Sequence, residues 1–315
     1  MLKGAPLKTG VLLLDKPSGW TSNAALQRVR KLYHVDKAGH GGTLDPMAEG
    51  LLPVFLGEAT RYAGFVLSER KAYIATVRFG TETHTADREG DVTRTAPLPE
   101  INDNLLAETL ARFVGQIVQR PPVYSAIKQK GLPLYTWARM GMDVLAPERT
   151  VTIHSLRLIS RSTTASEPPR LQELKFEVDC GSGTYIRSLA EDIGRALGSA
   201  AHLFALRRTR VGGFDSFRIH TLEAVDRCSD ADRPGMLTPI EQALLHLPAI
   251  NLQADEVERL IRGQRFSIRD ERITAGPSRL VAPDGGFLGL GQLDPKKILR
   301  VIRLMPTEAR MGIAD

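Results

Sequence analysis

The sequence predicts an α+β fold, with strands and amphipathic helices interspersed and a small β-rich unit at the C-terminus. Three observations carry this. Residues 71–79 alternate in polarity with period two, as a strand does. Residues 22–32 and 185–197 place their apolar side chains at helical spacing. Beyond residue 251, one short helical stretch precedes three short strand-like runs.

The elements follow in order. Gly10–Leu14 reads as a buried strand that ends at the turn Asp15-Lys-Pro-Ser-Gly19. Thr21 or Ser22 caps a helix whose apolar face is Ala25, Leu26, Val29 and Leu32. A glycine-rich loop, Gly39–Gly50, leads into the apolar run Leu51–Leu56. Lys71–Phe79 is a strand with Tyr73, Ala75 and Val77 on one face and Ile74, Thr76 and Arg78 on the other. Thr81–Glu100 is polar and reads as a loop, and Asn102–Phe113 as a helix buried through Leu106, Leu110 and Phe113.

Thr150–Ser160 and Leu171–Cys180 suggest a hairpin with a long tip, Arg161–Arg170. Tyr185–Leu197 forms a helix with Ile186, Leu189, Ile193 and Leu197 on one face, and Gly198 terminates it. Thr238-Pro239 supplies a cap and a first-turn proline for another helix. A boundary near His246–Asn251 separates the C-terminal unit, in which the helix Asp255–Arg262 stops at Gly263. Strands at Arg279–Ala282, Gly286–Gln292 and Leu299–Leu304 complete it.

Composition narrows the function classes. The chain has 315 residues, 42% of them hydrophobic and 25% charged, which is globular rather than disordered. Its two cysteines, Cys180 and Cys228, exclude a disulfide scaffold and a cysteine-rich metal site. No apolar run approaches the ~18 residues of a membrane span, and no secretory signal pattern opens the chain, so a cytoplasmic protein is expected. The net charge of +6 mildly favours a polyanionic partner.

Three segments concentrate chemistry. Lys37–Gly50 frames His40, Asp45 and Glu49 with glycines and Pro46. Such a loop can fix a carboxylate beside a substrate, or it can be a tight turn with Asp45 bonded to local amides. There is no P-loop lysine, no Gly-x-Ser-x-Gly elbow, and no metal-ligand spacing among the seven histidines. These absences favour chemistry without metal or cofactor. Cys180–Arg187 lies at a strand-to-helix junction. There Arg187 either serves an anionic site or pairs with Glu191 one turn on. Arg120–Met142 mixes Arg120, Lys128, Lys130 and Arg139 with Tyr124, Tyr135 and Trp137 and contains no acidic residue, a pattern suited to RNA. Arg207, Arg208 and Arg210 form a second basic run, which by itself reads as a solvated face.

Taken together, these strings resemble the TruB family of bacterial tRNA pseudouridine synthases over nearly the whole chain. The strings include Gly10-Val-Leu-Leu-Leu-Asp-Lys-Pro17, Gly39-His-Gly-Gly-Thr-Leu-Asp-Pro46, Lys71-Ala-Tyr73, Thr83-His-Thr-Ala-Asp87, Gln119-Arg-Pro-Pro-Val-Tyr-Ser-Ala126, Gly183-Thr-Tyr-Ile-Arg187 and Leu206-Arg-Arg208. The resemblance implies a mixed, mostly antiparallel sheet flanked by helices. It implies a catalytic domain over 1–248, with a thumb-like RNA-binding insertion at about 120–150, and a PUA-like RNA-binding domain over 249–315. The implied activity is conversion of uridine 55 in the tRNA T-loop to pseudouridine.

By the same resemblance, Asp45 is the catalytic carboxylate. Arg187, Tyr73, Tyr185 and Leu206 are its active-site companions. His40 fills the space left by the flipped base. RNA contacts fall to Arg120, Lys128, Lys130, Arg139, Arg207 and Arg208. The expected partner is the tRNA T-arm, with no cofactor, no membrane and no obligate protein partner, and the chain is expected to act as a monomer. Gly41-Gly42 stands where many relatives carry a threonine and a glycine, so a looser loop is expected here. Whether Asp45 attacks C1′, attacks C6, or assists deprotonation at C2′ stays open at this level. A binding module without catalysis is the competing reading.

Overall fold

The computed structural model describes residues 8–306 apart from 67–69, 101, 126, 130, 143 and 215–217, with the side chains of Pro133, Tyr135 and Arg139 also outside the description. In chain order the strands are β1 (Gly10–Lys16), β2 (Ala38–His40), β3 (Glu49–Leu56), β4 (Lys71–Phe79), β5 (Thr81–Thr83), β6 (Val92–Thr95), β7 (Gly115–Gln119), β8 (Lys128–Gln129), β9 (Leu132–Pro133), β10 (Arg149–Thr163), β11 (Leu171–Cys180), β12 (Ala201–Val211), β13 (His220–Thr221), β14 (Ala249–Asn251), β15 (Phe266–Ser267), β16 (Gly276–Val281), β17 (Phe287–Leu293) and β18 (Ile298–Leu304). The α-helices are α1 (Ser22–Tyr33), α2 (Ala63–Val66), α3 (Asp103–Arg112), α4 (Leu134–Arg139), α5 (Ile186–Ala196), α6 (Leu222–Arg227) and α7 (Ala254–Ile261).

A nine-stranded sheet runs in the order β13-β1-β3-β12-β4-β11-β10-β7, with β2 paired to β3. Only β1/β13 and β3/β12 are parallel, so the sheet is mixed and mostly antiparallel, as expected. A five-stranded sheet, β14-β16-β17-β18-β15, forms the C-terminal unit.

Period-two alternation decides where the strands bury. On β1, Leu12 and Leu14 join a core with α1 and α5, while Val11 and Leu13 face the opposite side. There they pack in a cluster that includes Phe55, Phe287 and Leu290, so β17 contributes to the core behind the large sheet. Of the predicted face of α1, Ala25, Leu26 and Val29 are buried and Leu32 packs half-buried against the same core, with Thr21 as the cap accepting from the Ala24 amide. Helix α5 buries Ile186, Leu189 and Ile193.

Two expectations fail. Residues 81–95 are not a plain loop. They form the hairpin β5–β6, because Arg94 and Arg195 both pair with Glu82, and His84 N–H donates to the Asp91 carbonyl. Thr238-Pro239 starts no α-helix. Thr238 instead exchanges two backbone hydrogen bonds with Val11, and only the single 3₁₀ turn Gln242–Leu244 follows.

Candidate active site

The glycine-rich loop is built before the carboxylate is placed. Gly41 N–H donates to the Pro53 carbonyl at 2.7 Å. Gly42 has φ +85°, a left-handed conformation that favours glycine, and its carbonyl accepts from Arg208 Nη2 at 3.0 Å. Ser22 brackets Leu44, accepting from its amide at 2.8 Å and donating to its carbonyl at 3.0 Å. Both glycines of the pair are thus hydrogen-bonded.

Lys16, fully buried at the end of β1, donates through Nζ to the carbonyls of Pro17 at 2.9 Å, Trp20 at 2.6 Å and Pro46 at 3.4 Å. It ties the turn after β1 to the segment that carries Asp45. Burial pulls its ammonium down to about 8, although the Asp45 charge acts the other way.

Arg187 reaches Asp45 from the first turn of α5. Its Nε lies 3.0 Å from Asp45 Oδ2, and its Nη2 donates to Oδ1 at 3.2 Å. Both carboxylate oxygens are thus held by one planar fork. Two further guanidinium hydrogens go to the carbonyls of Thr85 and Tyr124, each at 3.0 Å. Asp87 Oδ2 lies 3.8 Å from Nη1. Glu191, the alternative partner one helical turn on, pairs with Arg195 instead.

Asp45 keeps 32% side-chain exposure and opens onto solvent, whereas Arg187 keeps 6% and Asp87 5%. Burial pushes the Asp45 carboxyl above its ordinary range, Arg187 pulls it back, and Asp87 adds to the upward push. The carboxylate is therefore oriented while remaining reachable and basic.

Around it lies a cavity of about 800 Å³ lined by His40, Asp45, Tyr73, Tyr185, Arg187, Leu206 and Arg208 among others. The structure thus brings seven of the predicted site residues to one place. Tyr73 projects from β4, and burial pushes its hydroxyl upward while Arg208 beside it pulls back. Tyr185 caps α5 from a backbone clamp: its N–H donates to Gln119 Oε1 at 3.1 Å, and Gln119 Nε2 donates to its carbonyl at 3.3 Å. Among the described residues His40 Nδ1 is buried without a partner, and burial and Arg208 both lower the imidazole pKa.

The basic run at 207–210 requires correction. Arg208 is 1% exposed and donates to the Leu51 carbonyl at 2.8 Å, so it is part of the cavity wall and not a surface RNA contact. Arg207 points the other way and is engaged by Asp15 at 2.7 Å and Glu49 at 3.3 Å. In the insertion, Arg120 pairs with Glu148 at 2.7 Å on the surface, and Lys128 is exposed on β8. Lys130 and the side chain of Arg139 lie outside the described residues.

Sequence reasoning missed Lys16, Lys71, Asp87 and Gln119 as site residues. Each sat inside a recognised string, but its role is set by contacts distant in sequence, such as those of Gln119 with Tyr185. Thr85 Oγ1 and the Glu89 amide both donate to Asp87 Oδ1, at 2.6 and 3.0 Å, which fixes that carboxylate at the tip of the β5–β6 hairpin.

The geometry can be set beside known proteins. The N-terminal domain of the TruB family pseudouridylate synthases matches residues 30–186, and two C-terminal domains of that family match 187–245 and 248–305. A tRNA pseudouridine synthase B of Aromatoleum aromaticum is 46% identical over 300 residues, covering 95% of this chain and 94% of that one. The chain belongs to the TruB family.

A second relative of the same name, from Chromohalobacter salexigens, is 42% identical over 96% of this chain and 97% of its own length. Among solved structures, an H/ACA RNP bound to a substrate RNA containing 2′-deoxyuridine includes a chain similar to this TruB-family member with TM-score 0.70. That match has 25% identity and covers 96% of this chain and 87% of that one. A Cbf5-Nop10-Gar1 complex gives TM-score 0.70 at 26% identity, covering 97% and 88%. Among the described residues of this TruB-family chain, no helix is long and apolar enough to cross a membrane.

Proposed function

We propose that this chain converts uridine 55 in the T-loop of tRNA to pseudouridine, with Asp45 as the catalytic carboxylate. The observation that carries the reading is the two-point grip of Arg187 on Asp45 inside a cavity large enough for a nucleoside. Family membership and the names of the relatives support the substrate and the reaction.

A uridine stacked in a folded loop must be flipped out before its glycosidic bond can be reached, at a cost of a few kcal/mol. Tyr73 and Leu206 offer an aromatic and an apolar wall for the extruded base, and His40 supplies a ring for the vacated stack. The N1–C1′ bond then breaks, the uracil turns within the cavity, and a C5–C1′ bond forms as C5 loses its proton and N1 gains one. The reaction is an isomerisation, so atoms and electrons balance without a co-reactant. Asp45 acts ionised, whether its first contact is C1′, C6 or the C2′ proton, and Arg187 sets its direction of approach.

In this reading residues 1–248 carry catalysis and 249–315 form a PUA-like unit that extends the RNA contact. The insertion at about 120–150, with Arg120, Lys128, Lys130 and Arg139, grips the T-arm. The enzyme works in the cytoplasm as a single chain. The test is incubation of the purified protein with unmodified tRNA, followed by carbodiimide mapping of pseudouridine. A single new adduct at position 55 is expected. Binding without any adduct would favour the RNA-binding module, and adducts appearing only with added guide RNA and proteins would favour a guided enzyme.

A further inference from the structure

Arg187, Arg207 and Arg210 each sit beside a carboxylate. Lys71 does not. It opens β4 two residues before Tyr73, so the two side chains lie on the same face of the sheet, roughly 7 Å apart along the strand, and both line the cavity. The recorded side-chain bond of Lys71 is to Ser182 Oγ at 3.2 Å, and no carboxylate pairs with it among the described residues. Its neighbour across the strand pair, Cys180, is neutral, since burial pushes that thiol up to about 11. Arg208 Nη1 and Lys71 Cε both approach the point where a Gly42 side chain would begin, at 3.5 and 3.7 Å, and the Arg208 charge repels the ammonium.

A second cation meets the same turn. Arg149 Nη1 lies 3.6 Å from where a Gly183 side chain would begin, Arg149 Nε is buried without a partner, and its guanidinium sits 5.7 Å from the Tyr185 ring. Among the described residues Arg149 has no carboxylate partner. Lys71 and Arg149 thus converge on the turn Ser182-Gly183, two positive groups without a counter-charge at the rim of a cavity that opens to solvent.

We infer that Lys71 and Arg149 form a phosphodiester subsite that holds the RNA backbone beside the flipped nucleotide. The inference rests on the proposed uridine chemistry and adds the anchor that chemistry lacks. A base against Tyr73 is joined through its ribose to a phosphate, and the strand spacing from Tyr73 to Lys71 is of the order of that span. An anion there would supply the missing charge for both cations and satisfy the Arg149 guanidinium.

The test is a double-mutant cycle on binding. T-arm stem-loops carry a neutral methylphosphonate at the linkage 5′ or 3′ of the target uridine, and their affinities for wild type, Lys71→Met and Arg149→Gln are compared. Neutralising one of the two linkages is expected to weaken wild type about tenfold and to leave Lys71→Met nearly unaffected, as a charge-assisted bond predicts. Lys71→Arg should restore most of the sensitivity, and Arg149→Gln, away from the β4 core, should lose part of it even if Lys71→Met does not fold. Equal losses in wild type and variants for both linkages would overturn the subsite. Wild-type turnover of the unmodified stem-loop, run in parallel, separates the readings: turnover with no coupling removes the subsite alone, and coupling without turnover removes the chemistry alone.

Discussion

Arg187 grips both oxygens of Asp45 across 142 residues of sequence, at 3.0 and 3.2 Å, and donates two further hydrogens to the carbonyls of Thr85 and Tyr124. One side chain therefore locks together the glycine-rich loop, the β5–β6 hairpin, the start of the insertion and α5. The carboxylate it orients is the most exposed member of the cluster, as a group that must meet a substrate has to be.

Replacing Arg187 with lysine tests this directly. Lysine keeps the charge but cannot bridge two oxygens and two carbonyls. The single-turnover rate is expected to fall roughly 10²-fold, the scale for losing a preorganised polar contact in an active site. Arg187→Met, which also leaves Asp45 and Asp87 unpaired, should destabilise the fold by about 3–5 kcal/mol in denaturant titration.

In the proposed reaction Asp45 acts ionised, so the rate is expected to fall along an acid limb as pH drops through a pKa that lies above the ordinary carboxylate range. Asp87 raises that pKa and Arg187 lowers it. Asp87→Asn should therefore move the limb to lower pH, and Arg187→Gln should move it to higher pH, both read from single-turnover rates between pH 4 and 8. An unshifted limb in both variants would remove Asp45 as its source.

Glu191 gives a stability prediction away from the chemistry. Burial pushes its carboxyl up to about 7, against the pull of Arg195. A pKa raised on folding contributes stability that is present below the unfolded value of 4.5 and lost as pH rises through about 7. Glu191→Gln should therefore raise the melting temperature at pH 8 and change it little at pH 4.5.

Lys16→Met should remove three carbonyl contacts beneath the Asp45 segment. Losing charge-assisted bonds of ~1.5–3 kcal/mol each should cost several kcal/mol of stability, and activity should fall with it. Gly42→Ala asks for a side chain at φ +85°, beside Arg208 and Lys71. It should cost about 1–2 kcal/mol and slow turnover while leaving RNA binding near wild type.

Much of the fold was legible because period and burial agree. The alternation on β4 put Tyr73, Ala75 and Val77 on the buried face, and the helical face of α5 was visible in Ile186, Leu189 and Ile193. The β5–β6 hairpin was not legible, because its anchor is a buried glutamate, Glu82, whose partners Arg94 and Arg195 are set by tertiary contacts. Thr238-Pro239 had the chemistry of a helix start but lies against β1, where pairing with Val11 wins. Arg208 looked like one of a solvated basic run. Period two on β12 places it on the same face as Leu206, and the central position of that strand between β3 and β4 buries it. Residue types alone left Asp45 between a turn and a site; the grip of Arg187 supports the proposed site.

The most direct measurement is release of tritium from C5-labelled uridine in an unmodified T-arm stem-loop, comparing the purified wild type with Asp45→Asn. Asp45→Asn removes the carboxylate partner of the buried Arg187, so the fold of the variant is checked by its melting temperature and its RNA binding before rates are compared. The account predicts stoichiometric release and pseudouridine formation by the wild type, and none by a folded, RNA-binding Asp45→Asn. Release by the variant at the wild-type rate would contradict it.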